Sequence, residues 1–233
     1  MPFSYLRLMK RIGGFLFAVS VVAGQPLHAQ QAAPALHPDR LLLKWAPLTL
    51  FDPSTCALML GAEFRPVPRW GVEVLYGFRF TPLQVFSWNQ DKENLRYRKF
   101  KLETRYYFPH SASTQYYAAA EAFYVPQEYD LKNGNFERNG EFRAYERAHI
   151  EREVRGAAVK AGLMRRLGGR FWLDTALGLG VRHREVRYYT VNERPGNLMF
   201  DSPEQNFLKA TPDPGTRTRL APAAAIRLGY TVR

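Results

Sequence analysis

The side chains best suited to chemistry are few and scattered. His37, His110, His149 and His183 stand isolated, and the chain holds no HExxH, CxxC or EF-hand loop, so no ligand set at metal spacing can be read from it. The single Cys56 cannot close an intramolecular disulfide. There is no P-loop, GxSxG or dinucleotide fingerprint. Gly178-Leu179-Gly180 is a bare GxG in a segment that alternates like a strand, where glycine makes room for bulky neighbours. A Ser–His–acid group would need Ser87 or Ser202 to reach His183 with Glu185, or His149 with Glu151, and nothing local holds those serines in place. No catalytic residue, cofactor or metal ligand is therefore assigned.

Charge is the remaining signal. The 233 residues carry 33 Lys and Arg against 21 Asp and Glu, a formal +12, with 46% hydrophobic and 14% aromatic residues. Such a composition excludes a disordered or collagenous chain and fits one domain. The positive charge is spread over many segments with no recognition module, so nucleic-acid binding is not expected. What the charges can do depends on the elements that carry them.

Three segments divide the chain. Arg7, Lys10 and Arg11 precede an apolar run from Ile12 to Gly24, and Leu27-His28-Ala29 ends on a small residue, the order of a secretory signal peptide. Residues 1–29 are read as that signal peptide and 30–39 as a flexible leader broken by Pro34 and Pro38. Cleavage after Ala29 leaves 30 cations against 21 anions, a net +9. Residues 40–233 then form one domain, in which no apolar stretch is long enough for a spanning helix. A secreted chain of this kind can cross a membrane only as a closed barrel, since every backbone polar group in hydrocarbon needs a partner.

The domain alternates with period two. From Trp70 to Phe80, Trp70, Val72, Val74, Tyr76, Phe78 and Phe80 share one face, while Gly71, Glu73, Leu75, Gly77 and Arg79 share the other. Similar alternation predicts strands over Arg40–Leu48, Thr55–Arg65, Arg98–Phe108, Gln115–Glu128, Ile150–Leu167, Arg170–Thr190 and Arg219–Val232, eight in all. Pro66–Arg69, Pro109–Thr114 and Gly168-Gly169 read as tight turns. Phe51–Ser54, Thr81–Asn94, Tyr129–His149 and Glu193–Thr218 read as the opposite loops, three of them long. Short turns at one end and long loops at the other suit an all-β, eight-stranded, antiparallel, up-and-down transmembrane β-barrel with short periplasmic turns and longer extracellular loops.

Sidedness separates this reading from a soluble, lipocalin-like barrel, which keeps its bulky apolar groups inside. Here the polar face sets charges beside small residues, as expected in a crowded lumen. The predicted lumen network comprises Lys44, Glu63, Arg65, Glu73, Arg79, Lys101, Glu103, Arg105, Glu121, Lys160, Asp174, Arg182 and Arg227, which must neutralise one another and close the pore. Trp70, Phe108, Tyr116, Phe171 and Tyr230 fall near the tight-turn end, and Phe78, Phe80, Phe86 and Trp88 near the other, as two aromatic girdles would. Arg152, Arg155, Arg184 and Arg187 sit on the outward stretches of two strands, placed to contact lipopolysaccharide phosphates. Interleaved Glu146, Glu151, Glu153 and Glu185 make cross-strand ion pairs the plainer use of the same arginines.

Lys44-Trp45-Ala46-Pro47-Leu48, Phe51-Asp52-Pro53, Leu60-Gly61-Ala62-Glu63-Phe64, Arg69-Trp70-Gly71-Val72 and Tyr76-Gly77, with the closing Leu228-Gly229-Tyr230, resemble an uncharacterised domain-of-unknown-function family of small outer-membrane barrels. In architecture the chain is similar to the OmpA and OmpX type. The resemblance implies no catalytic residues. The expectation is a non-enzymatic outer-membrane barrel with a filled lumen, monomeric, in contact with outer-membrane lipid, lipopolysaccharide and the outer-membrane insertion machinery. Its role would be structural or one of surface interaction through its loops. The alternatives are a lipid A-modifying enzyme of the outer membrane and a soluble periplasmic ligand-binding barrel.

Overall fold

The computed structural model describes residues 40–52, 55–80, 92–108, 111, 113–138, 140–196 and 214–232. The expected signal peptide and leader, Ser87, Ser202, and much of the second and fourth of the four outer loops lie outside the described residues.

The described chain is antiparallel sheet. The strands are β1 (Leu41–Trp45), β2 (Ala57–Val67), β3 (Trp70–Arg79), β4 (Glu93–Phe108), β5 (Thr114–Arg138), β6 (Glu141–Gly168), β7 (Phe171–Val191), a two-residue β8 (Arg194–Pro195) and β9 (Gly215–Val232). Each long strand pairs with its sequence neighbours, and β9 pairs with both β7 and β1, so eight strands close into a ring. Closure is made where Leu41 to Trp45 run against Val232 to Leu228. The only helical element among the described residues is a 3-10 turn, Pro47–Phe51. It corrects the expectation that the first strand continues to Leu48: Pro47 lacks an N–H for the ladder, and the strand stops at Trp45.

A larger correction concerns Tyr129–His149, read from sequence as a loop. The structure continues β5 to Arg138 and starts β6 at Glu141, with Arg138 opposite Glu141 and one register held, interrupted at Asn133, down to Thr114 opposite Arg165. Two Asn-Gly dipeptides occur there, and the chain reverses at the second, where Gly140 has φ +83°. At the first, Asn133 takes φ +50° without reversing the chain, and the inward set changes from Tyr129 and Leu131 to Gly134 and Phe136.

Alternation decides what faces where. On β3, Gly71, Glu73, Leu75 and Gly77 are buried while Trp70, Val72, Val74, Tyr76 and Phe78 are exposed. The same inversion runs round the ring, with Leu43, Phe64, Phe100, Leu102, Val159, Leu177, Leu179 and Leu228 all exposed. Trp70 and Tyr106 pack edge to face at 5.3 Å between centroids, as do Phe171 and Tyr230 at 5.2 Å, forming an outward aromatic row near the tight turns. Phe86 and Trp88 lie outside the described residues.

The interior is layered. Near the tight turns Leu42, Tyr107, Tyr117, Ala119, Met164, Trp172 and Ala176 pack together. At the opposite end Leu95, Tyr97, Tyr129, Leu131, Phe136, Tyr145, Ile150, Val186 and Tyr188 form a second cluster, which holds the long β5–β6 hairpin to β4 and β7. Charged side chains fill much of the space between.

Candidate functional site

The charged interior follows from strand parity. Lys44 on β1, Glu63 and Arg65 on β2, Glu73 on β3, Glu103 and Arg105 on β4, Glu121 on β5, Lys160 on β6, Asp174 on β7 and Arg227 on β9 all point inward and are buried. Small neighbours give them room. A Cβ at Gly71 would come within 2.9 Å of the Glu63 carboxylate, and one at Gly162 would fall on the Tyr117 ring.

Within this layer acids and bases alternate in space. Lys44 Nζ lies 2.5 Å from Glu63, 2.8 Å from Glu73 and 2.7 Å from Asp174. Arg105 reaches Glu63, Glu73, Glu103 and Asp174 at 2.7 to 3.0 Å. Arg227 spans Glu73 at 3.1 Å and Glu103 at 2.9 Å, and Lys160 pairs with Glu103 and Glu121. Arg65 donates to Glu63 at 2.6 Å, and Lys101 lies 3.4 Å from Glu121. The Tyr107 and Tyr117 hydroxyls donate to Glu63 and Asp174.

Isolated burial of such charges would be prohibitive; a mutually paired and hydrogen-bonded set is tolerated. Glu63, Glu73 and Asp174 bring oxygens within 4.8 Å of one another, a spacing that could hold a cation, but the Lys44 ammonium already sits among them. The arrangement acts as an ionic plug.

Of the predicted network, all members join except Arg79 and Arg182. Arg79 donates to the Leu95 carbonyl at 2.6 Å instead, and Arg182 makes no ion pair among the described residues. Both lie at the long-loop end, beyond reach of the acids. Lys99 was missed: it shares its face with Lys101, Glu103 and Arg105, is buried, and pairs with Asp52 at 2.8 Å. Its parity was the available signal.

The four arginines expected at lipopolysaccharide divide by the same rule. Arg155 and Arg187 are exposed, with Arg187 2.6 Å from Glu185. Arg152 and Arg184 occupy the inward parity, and Arg152 is only 6% exposed, so an outward contact through these two is corrected. Positions three apart in a strand face opposite sides. Burial, with Arg182 and Arg184 nearby, pushes the Arg152 pKa down to about 10.

Of the histidines, His149 Nδ1 lies 2.7 Å from Asp130 and His183 Nδ1 lies 2.9 Å from Thr218. Asn94 donates to the other Asp130 oxygen at 2.6 Å, and these bonds hold the Asp130 carboxyl below its usual range. The Glu partners expected from sequence are turned elsewhere: Glu151 accepts from Tyr189 and Glu185 from Arg187.

These features define a class: an antiparallel ring of eight strands with an apolar exterior and an ion-filled interior. Residues 50–211, more than half of the chain, match a family described as protein of unknown function (DUF3575), and the chain belongs to that family. No curated protein matches it.

Proposed function

We propose that this protein is a non-enzymatic β-barrel of the bacterial outer membrane, with a closed lumen and a structural or surface-interaction role. One observation carries the reading: the long strands present apolar groups outward, and on β6, β7 and β9 polar groups begin at a common level. On β7 the outward residues Phe171, Leu173, Thr175, Leu177, Leu179 and Val181 are followed by His183, Glu185 and Arg187. Strands β6 and β9 change in register with it, since Arg155, His183 and Thr218 are laterally paired, as are Glu153, Glu185 and Thr216.

From Phe171 to Val181 is about 33 Å along the strand at about 3.3 Å per residue. A tilt of about 40° reduces this to about 25 Å, the apolar height of outer-membrane barrels. A soluble protein rarely leaves so large an apolar surface uncovered. Beyond the band, the β5–β6 hairpin would project outward, with Arg155, Arg187 and the fourth connection available to lipopolysaccharide and surface partners. Residues 1–29 would direct export, and the insertion machinery would assemble the ring.

The test is fractionation of cells expressing the full chain. The expected result is recovery in the outer-membrane fraction with gel mobility that changes on boiling. Release by osmotic shock would overturn the reading, and lipid A altered by deletion of the gene would overturn its non-enzymatic part.

A further inference from the structure

Charge inside the ring is unevenly distributed. At the tight-turn end the plug sets Lys44, Arg65, Arg105, Lys160 and Arg227 against five carboxylates. Towards the long loops the balance fails. There a cavity of about 350 Å³ is lined by Lys99, Lys101, Gln127, Arg152, Lys160 and Arg182, with Asp52 and Glu121 as its acids. Glu121 is engaged by Lys160 and Lys101, and Asp52 by Lys99. Arg152 and Arg182 have no carboxylate at ion-pair distance among the described residues.

Each also keeps a buried donor unused. Arg152 gives one Nη1 bond to Gln127 Oε1 at 3.1 Å, and that leaves Arg152 Nε, Gln127 Nε2 and Arg182 Nε buried without an acceptor. Buried donors left unsatisfied are costly, so a native site of this kind calls for an acceptor. Lys99 on β4, Gln127 on β5, Arg152 on β6 and Arg182 on β7 come from four consecutive strands of the ring and surround one volume. An acceptor with oxygens directed tetrahedrally can meet donors from several walls, whereas a planar carboxylate offers two oxygens in one plane.

We propose that the long-loop half of the ring interior binds a phosphate-bearing anion, held by Lys99, Gln127, Arg152 and Arg182. The anion supplies the charge and the acceptors that the chain itself omits there. Two sources share this chemistry. A free phosphate would enter from the long-loop end. A phospholipid headgroup would enter from the side, where β1 stops at Trp45 and leaves β9 above Leu228 with no strand on that flank among the described residues; the cavity wall there is Ala221 to Ile226 and Leu48.

The test uses the full chain folded in neutral maltoside micelles, so it reads binding wherever the ring resides. Inorganic phosphate is titrated by calorimetry. Saturable binding is expected, weakened at least about tenfold in Arg152→Gln and in Arg182→Gln, and unchanged in Lys132→Gln, whose side chain is exposed and paired with Glu93. Phosphate should also raise the unfolding temperature of the unaltered chain more than chloride at equal ionic strength, a readout that survives if a variant fails to fold. Displacement of phosphate by phosphatidic acid doped into the micelles assigns the lipid source; phosphate binding that phosphatidic acid leaves intact assigns the free anion. Absence of saturable binding of both probes, or binding by the two glutamine variants equal to that of the unaltered chain, overturns the proposal.

Discussion

Lys44 Nζ and Asp174 Oδ2 lie 2.7 Å apart, although 130 positions separate them in the chain. The contact crosses the interior from β1 to β7, and Glu63 and Glu73 complete the same ammonium's shell. The first strand has only five residues of ladder on each side, so this ion cluster ties it to the far wall as well as to its neighbours.

Lys44→Met should therefore destabilise the ring strongly. Removing the cation leaves three carboxylates short of compensation, and breaking a buried pair costs about 3–5 kcal/mol. Urea unfolding in micelles should show that loss, and Lys44→Met with Asp174→Asn should recover part of it. A loss below about 1 kcal/mol would mean that water reaches the plug.

Leu177→Arg tests the apolar band. Leu177 is 62% exposed, so in a soluble ring the change would be nearly neutral. At the middle of a bilayer, arginine on the outward face costs about 2–4 kcal/mol. The comparison is unfolding in lipid vesicles against unfolding of Arg187→Leu, which lies above the band and should change little.

Alkali should loosen the long hairpin before the rest of the ring. Burial pushes the Tyr129 and Tyr145 hydroxyls up to about 12, against about 10 for an exposed tyrosine. The folded form holds both as neutral phenols, so their contribution is fully present below about pH 10 and is lost as pH rises to about 12. Amide exchange over residues 129–149 should accelerate in that window. Because the Tyr129 hydroxyl has no acceptor among the described residues, the Tyr129→Phe, Tyr145→Phe double variant should fold and lack the alkaline step.

Acid should act at the outer surface through Asp130. Its carboxyl is depressed by the bonds from Asn94 and His149, so their contribution is present above the unfolded carboxyl pKa and fades as pH falls through the lower folded value. Asn94→Ala and His149→Ala should each move the Asp130 titration upward towards that of a free aspartate, read by carbon NMR of the side-chain carboxyl. No movement in either variant would show that these contacts do not persist in solution.

Much of this was legible from local pattern. Alternation located all eight ring strands, separated the buried charges from the apolar exterior, and named most of the plug. Its main failure, Tyr129–His149, came from polar, Asn-Gly-containing sequence that carries no clean apolar alternation; those strands are ordered by pairing on both sides of Asn133 and by Phe136, Tyr145 and Tyr188 packing together. The treatment of Arg152 and Arg155 as equivalents was avoidable, since a spacing of three fixes opposite faces in any strand.

What the sequence by itself determined is which side chains share a face, because strand geometry repeats every two residues and needs no partner. Which of those side chains meet was decided only in three dimensions. Lys44 finds Asp174, and Arg152 and Arg182 find no ion-pair partner among the described residues, because contacts across the interior depend on the registers of all the intervening strands added together. That sum is a property of the closed ring, and no single segment encodes it.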